Sequence, residues 1–300
     1  MLHVLTHDIL PVFAMLALGF LLGRISFVSK AEATTANRIA FMVMQPPLIM
    51  PLIAGLDWSA FRADVLGVYA LCQVGLFTAA YLVMRRVFRR EPLESWLLAM
   101  ATIFVNTLLY IWPISFLIYG EAAALPVTAI VAWDSAVSFS FFIVTADLIA
   151  GRAPGAPPAW QRLAMNPVLM AILLGLVLNL AAIPLPEPLL TAMHFAGQAA
   201  APLTLFALGV ILSGHSLRVS PVIATSAGLK LIAFPALVWA ALSLLEPPET
   251  WHDLFTLTAA GPSGAMAFSL ALLHGVRTDA IAPVIVWTST LSLISLAWLA

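Results

Sequence analysis

Apolar residues in this chain gather in runs of about 20 separated by short polar breaks, the length a helix needs to cross the core of a bilayer. The pattern predicts ten spans, the first five being Ile9 to Gly23, Ile39 to Gly55, Val65 to Met84, Trp96 to Tyr119 and Leu125 to Ile149. The second five are Met165 to Ile183, Leu189 to Ser213, Pro221 to Leu245, Leu254 to His274 and Ile281 to the C-terminus. Pieces of about ten residues with period-two alternation, the mark of a membrane β-barrel, are not seen. Met1 to Asp8 lacks the basic region of a secretory signal, so the first run is expected to be a retained span.

Composition agrees with that reading. Of 300 residues, 62% are hydrophobic and 9% charged, which excludes an ordinary soluble domain. A net charge of -1 gives no footprint for nucleic acid. The single cysteine, Cys72, excludes a disulfide framework, and the six histidines fall near span ends or in loops and read as interfacial rather than as a metal site. Lys and Arg are distributed unevenly. One set of loops holds Arg24, Lys30, Arg38, Arg85, Arg86, Arg89, Arg90, Arg152, Arg162, Arg218 and Arg277, while the other holds Arg62. Cytoplasmic loops carry such an excess, so both termini are expected on the non-cytoplasmic side of the inner or plasma membrane.

The two halves repeat each other. Trp133-Asp134-Ser135 is matched 154 residues later by Trp287-Thr288-Ser289, and Pro11, Val12 and Gly19 are matched 156 residues later by Pro167, Val168 and Gly175. Span-internal prolines continue the series, with Pro47 against Pro202 and Pro113 against Pro262. Five helices per half is an odd number, so the second copy enters the membrane inverted. The expected organisation is therefore an all-α integral membrane protein: a first five-helix repeat over 1–150, a cytoplasmic linker over 151–164 and a second, inverted repeat over 165–300.

Candidate chemistry sits where spans are interrupted. A proline inside a membrane helix frees a carbonyl one turn earlier, tolerable where protein or water satisfies it. The fourth span reads Asn106-Thr107 through Trp112-Pro113, and the ninth Gly261-Pro262-Ser263-Gly264. Half-helix N-termini after each proline would offer N–H groups and partial positive charge to a carboxylate. Asn106, Thr107, Ser115 and Ser263 would add neutral donors, and Gly261 and Gly264 close approach of the backbone. Ionisable residues within spans are functional candidates by default. Asp134 lies nine residues into the fifth span, ~14 Å deep, and Lys230 at similar depth from the other face. The two are expected to set charge balance, as an ion pair or through attraction of an anion. Ser135, Thr288 and Ser289 are further polar lining candidates, and Gln73 and Asn179 read as ties between helices.

These residues resemble the auxin efflux carrier family, whose bacterial members include carriers described as malonate or malate permeases. The likeness covers nearly the whole chain. It is carried by Leu10-Pro11-Val12-Phe13 to Gly23-Arg24, Asn106 to Pro113, Gly209 to Ser213, Lys230 with Pro235, Pro262 through His274-Gly275, and Ser289 to Leu293. The resemblance implies two inverted five-helix repeats, a scaffold part and a transport part whose broken helices cross beside the substrate, and alternating access. It also implies a small organic anion as substrate, coupled to protons or the membrane potential, with no bound cofactor and no metal; a homodimer is compatible with it. The chain departs from the pattern at Leu108, Ile111 and Met266, where many relatives carry glycines or asparagine. The long hydrophilic loop of plant members is missing, so auxin transport is not implied.

Two alternatives follow from the same residues. The architecture is similar to that of sodium-coupled bile-acid symporters, with Asp134, Ser135, Thr288 and Ser289 as sodium ligands. Gly261-Pro262-Ser263-Gly264 matches the GxSG of rhomboid intramembrane serine proteases, but no histidine lies at the depth of Ser263, so an enzyme is not expected.

Overall fold

The computed structural model describes every residue except Met1, 152–154 and 156. The described residues are helical, with no strand longer than an isolated bridge among them. Helices are α1 (Val4–Arg24), α2 (30–54), α3 (Ala63–Val87), α4 (Pro92–Ile103), α5 (107–119) and α6 (124–150) in the first half. The second half holds α7 (Ala159–Ala164), α8 (Pro167–Leu180), α9 (Glu187–Ser213), α10 (Pro221–Leu245), α11 (Glu249–Ala259), α12 (Met266–Leu273) and α13 (Ile281–Leu299).

Local chemistry sets several of these starts. Ser29 and Glu32 form a reciprocal capping box at the head of α2. Asn166 accepts from the amides of Val168 and Leu169 at the head of α8, and Ser220 from Ile223 at the head of α10. Pro92, Pro167 and Pro221 each occupy the first helical position, where the missing N–H is of no consequence.

Among the described residues, six helical stretches are long and apolar enough to cross a membrane: Val4–Arg24, Ala63–Val87, Thr107–Ala150, Glu187–Ser213, Pro221–Leu245 and Ile281–Leu299. The stretch Thr107–Ala150 would extend ~66 Å if straight, more than twice the bilayer core. It turns at Gly120, where φ is +60°, and α6 packs back on α5. Leu71, Val74, Leu148, Leu173, Leu244 and Ile294 face outward and are exposed, as expected of a surface solvated by lipid. The chain is thus a multi-pass membrane protein.

The spans read from the sequence coincide with helices, with shifts at their ends. The second begins earlier, because the amphipathic segment Lys30–Ile39 continues into the apolar part of α2. The fourth and ninth are broken, as expected, but the first break falls at 104–106, well before Pro113. Pro113 instead follows a π turn over Thr107–Ile111, which absorbs the lost hydrogen bond without interrupting α5.

Helices associate in two groups. The first consists of α1, α2, α8 and α9, and the second of α3, α4, α10, α11 and α13 with α5, α6 and α12. The tightest seam of the first group joins α1 to the second part of α9 through facing glycines. A Cβ on Gly19 would lie 2.0 Å from the carbonyl oxygen of Phe206, and one on Gly209 would lie 2.2 Å from that of Leu16. Both clashes are with backbone, which cannot rotate away, so close packing of the two helices requires glycine at each place. Gly209→Val is expected to lower the detergent melting temperature by several degrees, the effect of about 1–3 kcal/mol of overpacking. Gly67→Val, at a glycine with open space around it, is the control; equal melting of the two variants would contradict this account of the seam.

Candidate functional site

The two breaks meet. Between α4 and α5 the chain leaves the helical path over Phe104-Val105-Asn106, and between α11 and α12 over Ala260 to Ala265. These segments run antiparallel, with a bridge between Val105 and Ser263. The amide of Asn106 donates to the carbonyl of Pro262 at 3.0 Å, and that of Gly264 to the carbonyl of Phe104 at 2.8 Å. Glycine permits this approach: a Cβ on Gly261 would lie 2.4 Å from Cδ1 of Ile111, and one on Gly264 would lie 2.8 Å from Cδ1 of Phe104. Ile111, one of the departures from the family pattern, thus packs over Gly261.

Carbonyls freed where α4 and α11 end are also taken up. Ser263 Oγ donates to Ala101 at 2.6 Å, Lys230 Nζ to Ala259 at 2.8 Å and Ser295 Oγ to Ala260 at 3.1 Å. Lys230 is fully buried and places its charge at the C-terminal end of α11, where the helix dipole favours a cation; it also lies 4.8 Å from the centroid of Phe234. Thr288 Oγ1 accepts from the amide of Ser263 at 3.1 Å.

Asp134 is buried among neutral donors. Gln73 Nε2 reaches Oδ1 at 2.9 Å, Thr107 Oγ1 reaches Oδ2 at 3.2 Å, and Gln73 Oε1 in turn accepts from Trp133 Nε1 at 2.7 Å. Of the two arrangements open to Asp134 and Lys230, a direct ion pair is not found among the described residues. Each charge is satisfied separately, which removes the need for a pair. Asp134 and Lys230 share one feature invisible to a hydropathy reading: each sits in a π turn, Trp133–Ser138 and Leu229–Ala233. Such widened turns are frequent at functional sites, because they leave local backbone groups unpaired and re-aim side chains.

A cavity of about 550 Å³ opens beside the crossing, between the two helix groups. Of the residues singled out from the sequence, Asn106, Thr107, Asp134, Ser135 and Gly264 are on its wall. Pro113, Ser115, Gly261, Pro262, Ser263, Lys230, Thr288 and Ser289 are not; Gly261, Pro262, Ser263, Lys230 and Thr288 hold the crossing together, and Ser115 is buried in α5 with its hydroxyl unpaired among the described residues. The wall also contains Arg38, Gln45, Arg162 and Thr204, which sequence reasoning passed over. The arginines read as loop charges, and single polar residues within apolar runs carry no signal of which way they face. Asn179 ties helices as expected, donating to the carbonyls of Ala54 and Leu56. Gln73 also ties helices, joining α3 to Asp134 and Trp133 of α6.

Both half-helix N-termini face this cavity without side-chain caps. The N-cap residues are Asn106 for α5 and Ala265 for α12, and neither makes a cap hydrogen bond. Thr107, Leu108 and Leu109 at one start, and Ala265 and Met266 at the other, are on the wall.

Comparison with known proteins fits this geometry. Residues 156–299 match the family described as membrane transport protein. The chain is 26% identical over 303 residues to an uncharacterised transporter of Methanothermobacter thermautotrophicus, covering 97% of this chain and 96% of the relative. It is 27% identical over 305 residues to a protein of Rhizobium meliloti provisionally named a malonate transporter, covering 96% and 92%. The resemblance to the auxin efflux carrier family is borne out. The chain is a membrane transporter.

In this transporter the backbone of the crossing depends on a few side-chain bonds. Thr288→Val removes the acceptor of the buried Ser263 amide and is expected to lower folding stability by about 1–3 kcal/mol. Ser289→Ala, beside it but with no side-chain hydrogen bond, is expected to change stability by less than about 0.5 kcal/mol. Thermal melting of the purified variants in detergent checks both values; a Thr288→Val protein that melts with the wild type would show that the crossing does not need this bond.

Proposed function

We propose that this transporter carries a small organic anion, a mono- or dicarboxylate, by alternating access between its two helix groups. The observation that carries the proposal is the pair of uncapped half-helix N-termini, at Asn106 and Ala265, on the wall of one cavity. Unpaired amides with a partial positive charge attract a carboxylate. The Asn106 side chain adds an amide donor beside them, and Arg38 and Arg162 on the wall favour an anion over a cation. The name of the Rhizobium meliloti relative supports a malonate-like substrate.

The geometry also supports two inverted five-helix repeats. Helices α1 and α2 from the first half and α8 and α9 from the second make one group, and the crossing pairs the fourth and ninth spans. Polar contacts correspond across the halves: Thr107 with Asp134 in the first, Ser263 with Thr288 in the second. In this reading the group holding the crossing moves against the other, and the cavity between them opens to each side in turn. Asp134, on the wall and surrounded by neutral donors, is the group placed to carry a coupling proton. The alternative of sodium coupling draws no support, because Thr288 and Ser289 lie off the wall that Asp134 and Ser135 line. Nor does a serine nucleophile, because Ser263 Oγ donates to the carbonyl of Ala101. The arginine-rich loops support an orientation with both termini outside the cytoplasm.

The test is uptake and counterflow of radiolabelled mono- and dicarboxylates, malonate among them, by purified protein in liposomes with imposed pH and sodium gradients. Saturable movement of at least one acid is expected, indifferent to replacement of sodium by choline. Asn106→Ala is expected to raise KM by roughly tenfold, one lost hydrogen bond to a charged group, whereas Ser263→Ala retains transport. Failure of the protein to move any acid, or an unaltered KM in Asn106→Ala, would overturn the proposal.

A further inference from the structure

Away from the crossing, at the arginine-rich end of the same cavity, three ionisable side chains distant in sequence come together. Asp147 lies near the end of α6, Arg162 in α7 and His274 just after α12. Arg162 Nη2 is 2.5 Å from Asp147 Oδ2, and His274 Nε2 is 3.3 Å from Asp147 Oδ1. The side chains are 13%, 14% and 1% exposed for Arg162, Asp147 and His274. So buried a cluster should have every polar atom paired, yet among the described residues Arg162 Nε has no hydrogen-bond partner, and Asp147 Oδ1 and His274 Nε2 have none beyond their 3.3 Å contact with each other.

Only Arg162 of the three is on the cavity wall. The Asp147 contact engages Nη2 and leaves Nε, a donor on the same planar fork, free. A guanidinium binds a carboxylate best when two N–H groups donate side by side, so this arginine is under-engaged by its own partner. The opposite arrangement would be expected of a structural brace, whose geometry is selected to satisfy both sides fully.

We propose that Arg162 is the carboxylate-recognition residue at the mouth of the cavity, masked by Asp147, which an arriving substrate carboxylate displaces. The proposal rests on the organic-anion reading above and names a residue that determines its specificity. On displacement the substrate takes Nε and Nη2 together. Asp147 then keeps His274 beside its other oxygen, so the released carboxylate is not left without a neighbour. Because His274 follows α12 directly, and α12 begins at the crossing, the exchange of partners at Arg162 bears on a helix that forms part of the substrate cavity.

A brace and a masked receptor differ in the sign of one pair of variants. If Asp147 and Arg162 only brace the fold, Asp147→Asn and Arg162→Gln break the same contact and act alike. If Asp147 masks a receptor, they act oppositely. Radiolabelled malonate uptake into liposomes, normalised to monodisperse protein, is expected to show KM lowered roughly 3- to 10-fold in Asp147→Asn and raised roughly 10- to 100-fold in Arg162→Gln. Arg162→Lys, which keeps the charge opposite Asp147 but loses the planar fork, decides the matter if Asp147→Asn does not fold: KM is expected to rise at least about threefold. Shifts of KM in the same direction for Asp147→Asn and Arg162→Gln, or a wild-type KM in Arg162→Lys, would overturn this inference while leaving the organic-anion function standing. A wild-type protein that moves neither malonate nor any other acid of the panel would overturn both.

Discussion

Backbone that is not helical has to find its hydrogen bonds within the protein when it lies at membrane depth, because lipid supplies none. Two segments of this transporter face that constraint, 104–106 and 260–265, and each is the other's solution. Their carbonyls and amides exchange bonds between Asn106 and Pro262 and between Gly264 and Phe104. What they leave over is taken by side chains from elsewhere, Lys230 and Ser295 for the carbonyls of Ala259 and Ala260, Thr288 for the amide of Ser263. The polar residues buried here follow from that need. A lysine with no exposed surface is tolerable because its ammonium meets a helix C-terminal end, and the proposed substrate cavity inherits two helix starts whose amides no side chain among the described residues has claimed.

The positions around the crossing are therefore of two kinds. Some make the crossing possible and are turned away from the cavity, such as Gly261, Ser263 and Lys230. Others are presented to the cavity because the crossing holds them there, such as Asn106, Thr107 and Gly264. Asp134 belongs to both, since Thr107 at the head of α5 donates to it while it lines the wall. Leu108 and Met266, where many relatives carry smaller or more polar residues, are on the wall too, so this cavity offers less polar surface and more apolar contact than the family pattern implies.

Much of this was legible in the sequence, for physical reasons that also mark where legibility stopped. Lipid solvation writes itself into long apolar runs, so the spans could be read directly. The need for breaks at depth shows in the glycines and prolines around 261–264, and the cost of burying charge makes Asp134 and Lys230 stand out. The location of the first break was misread, because Pro113 is accommodated by a π turn and the chain opens instead at Phe104 to Asn106, a segment with nothing but ordinary residues before the asparagine. The pairing of Asp134 with Gln73 rather than Lys230 was not legible either: which way a side chain points depends on the widened turn over Trp133–Ser138, and no residue type announces such a turn. Arg162 passed for a loop charge, since a short helix packed under the molecule's polar end carries the same composition as a solvated loop.

The central claim is that the cavity between the two helix groups is where a carboxylate anion binds. Ser269 is on its wall and exposed, while the single cysteine, Cys72, is buried, so a Ser269→Cys substitution in a Cys72→Ala background gives one reporter thiol at the site. The rate of its labelling by a membrane-permeant maleimide, measured with and without saturating acids, tests the claim most directly. The account predicts that acids carried by the protein slow labelling several-fold, in proportion to their occupancy, and that acids not carried leave it unchanged. Labelling that proceeds at one rate whether or not a transported acid is present would contradict it.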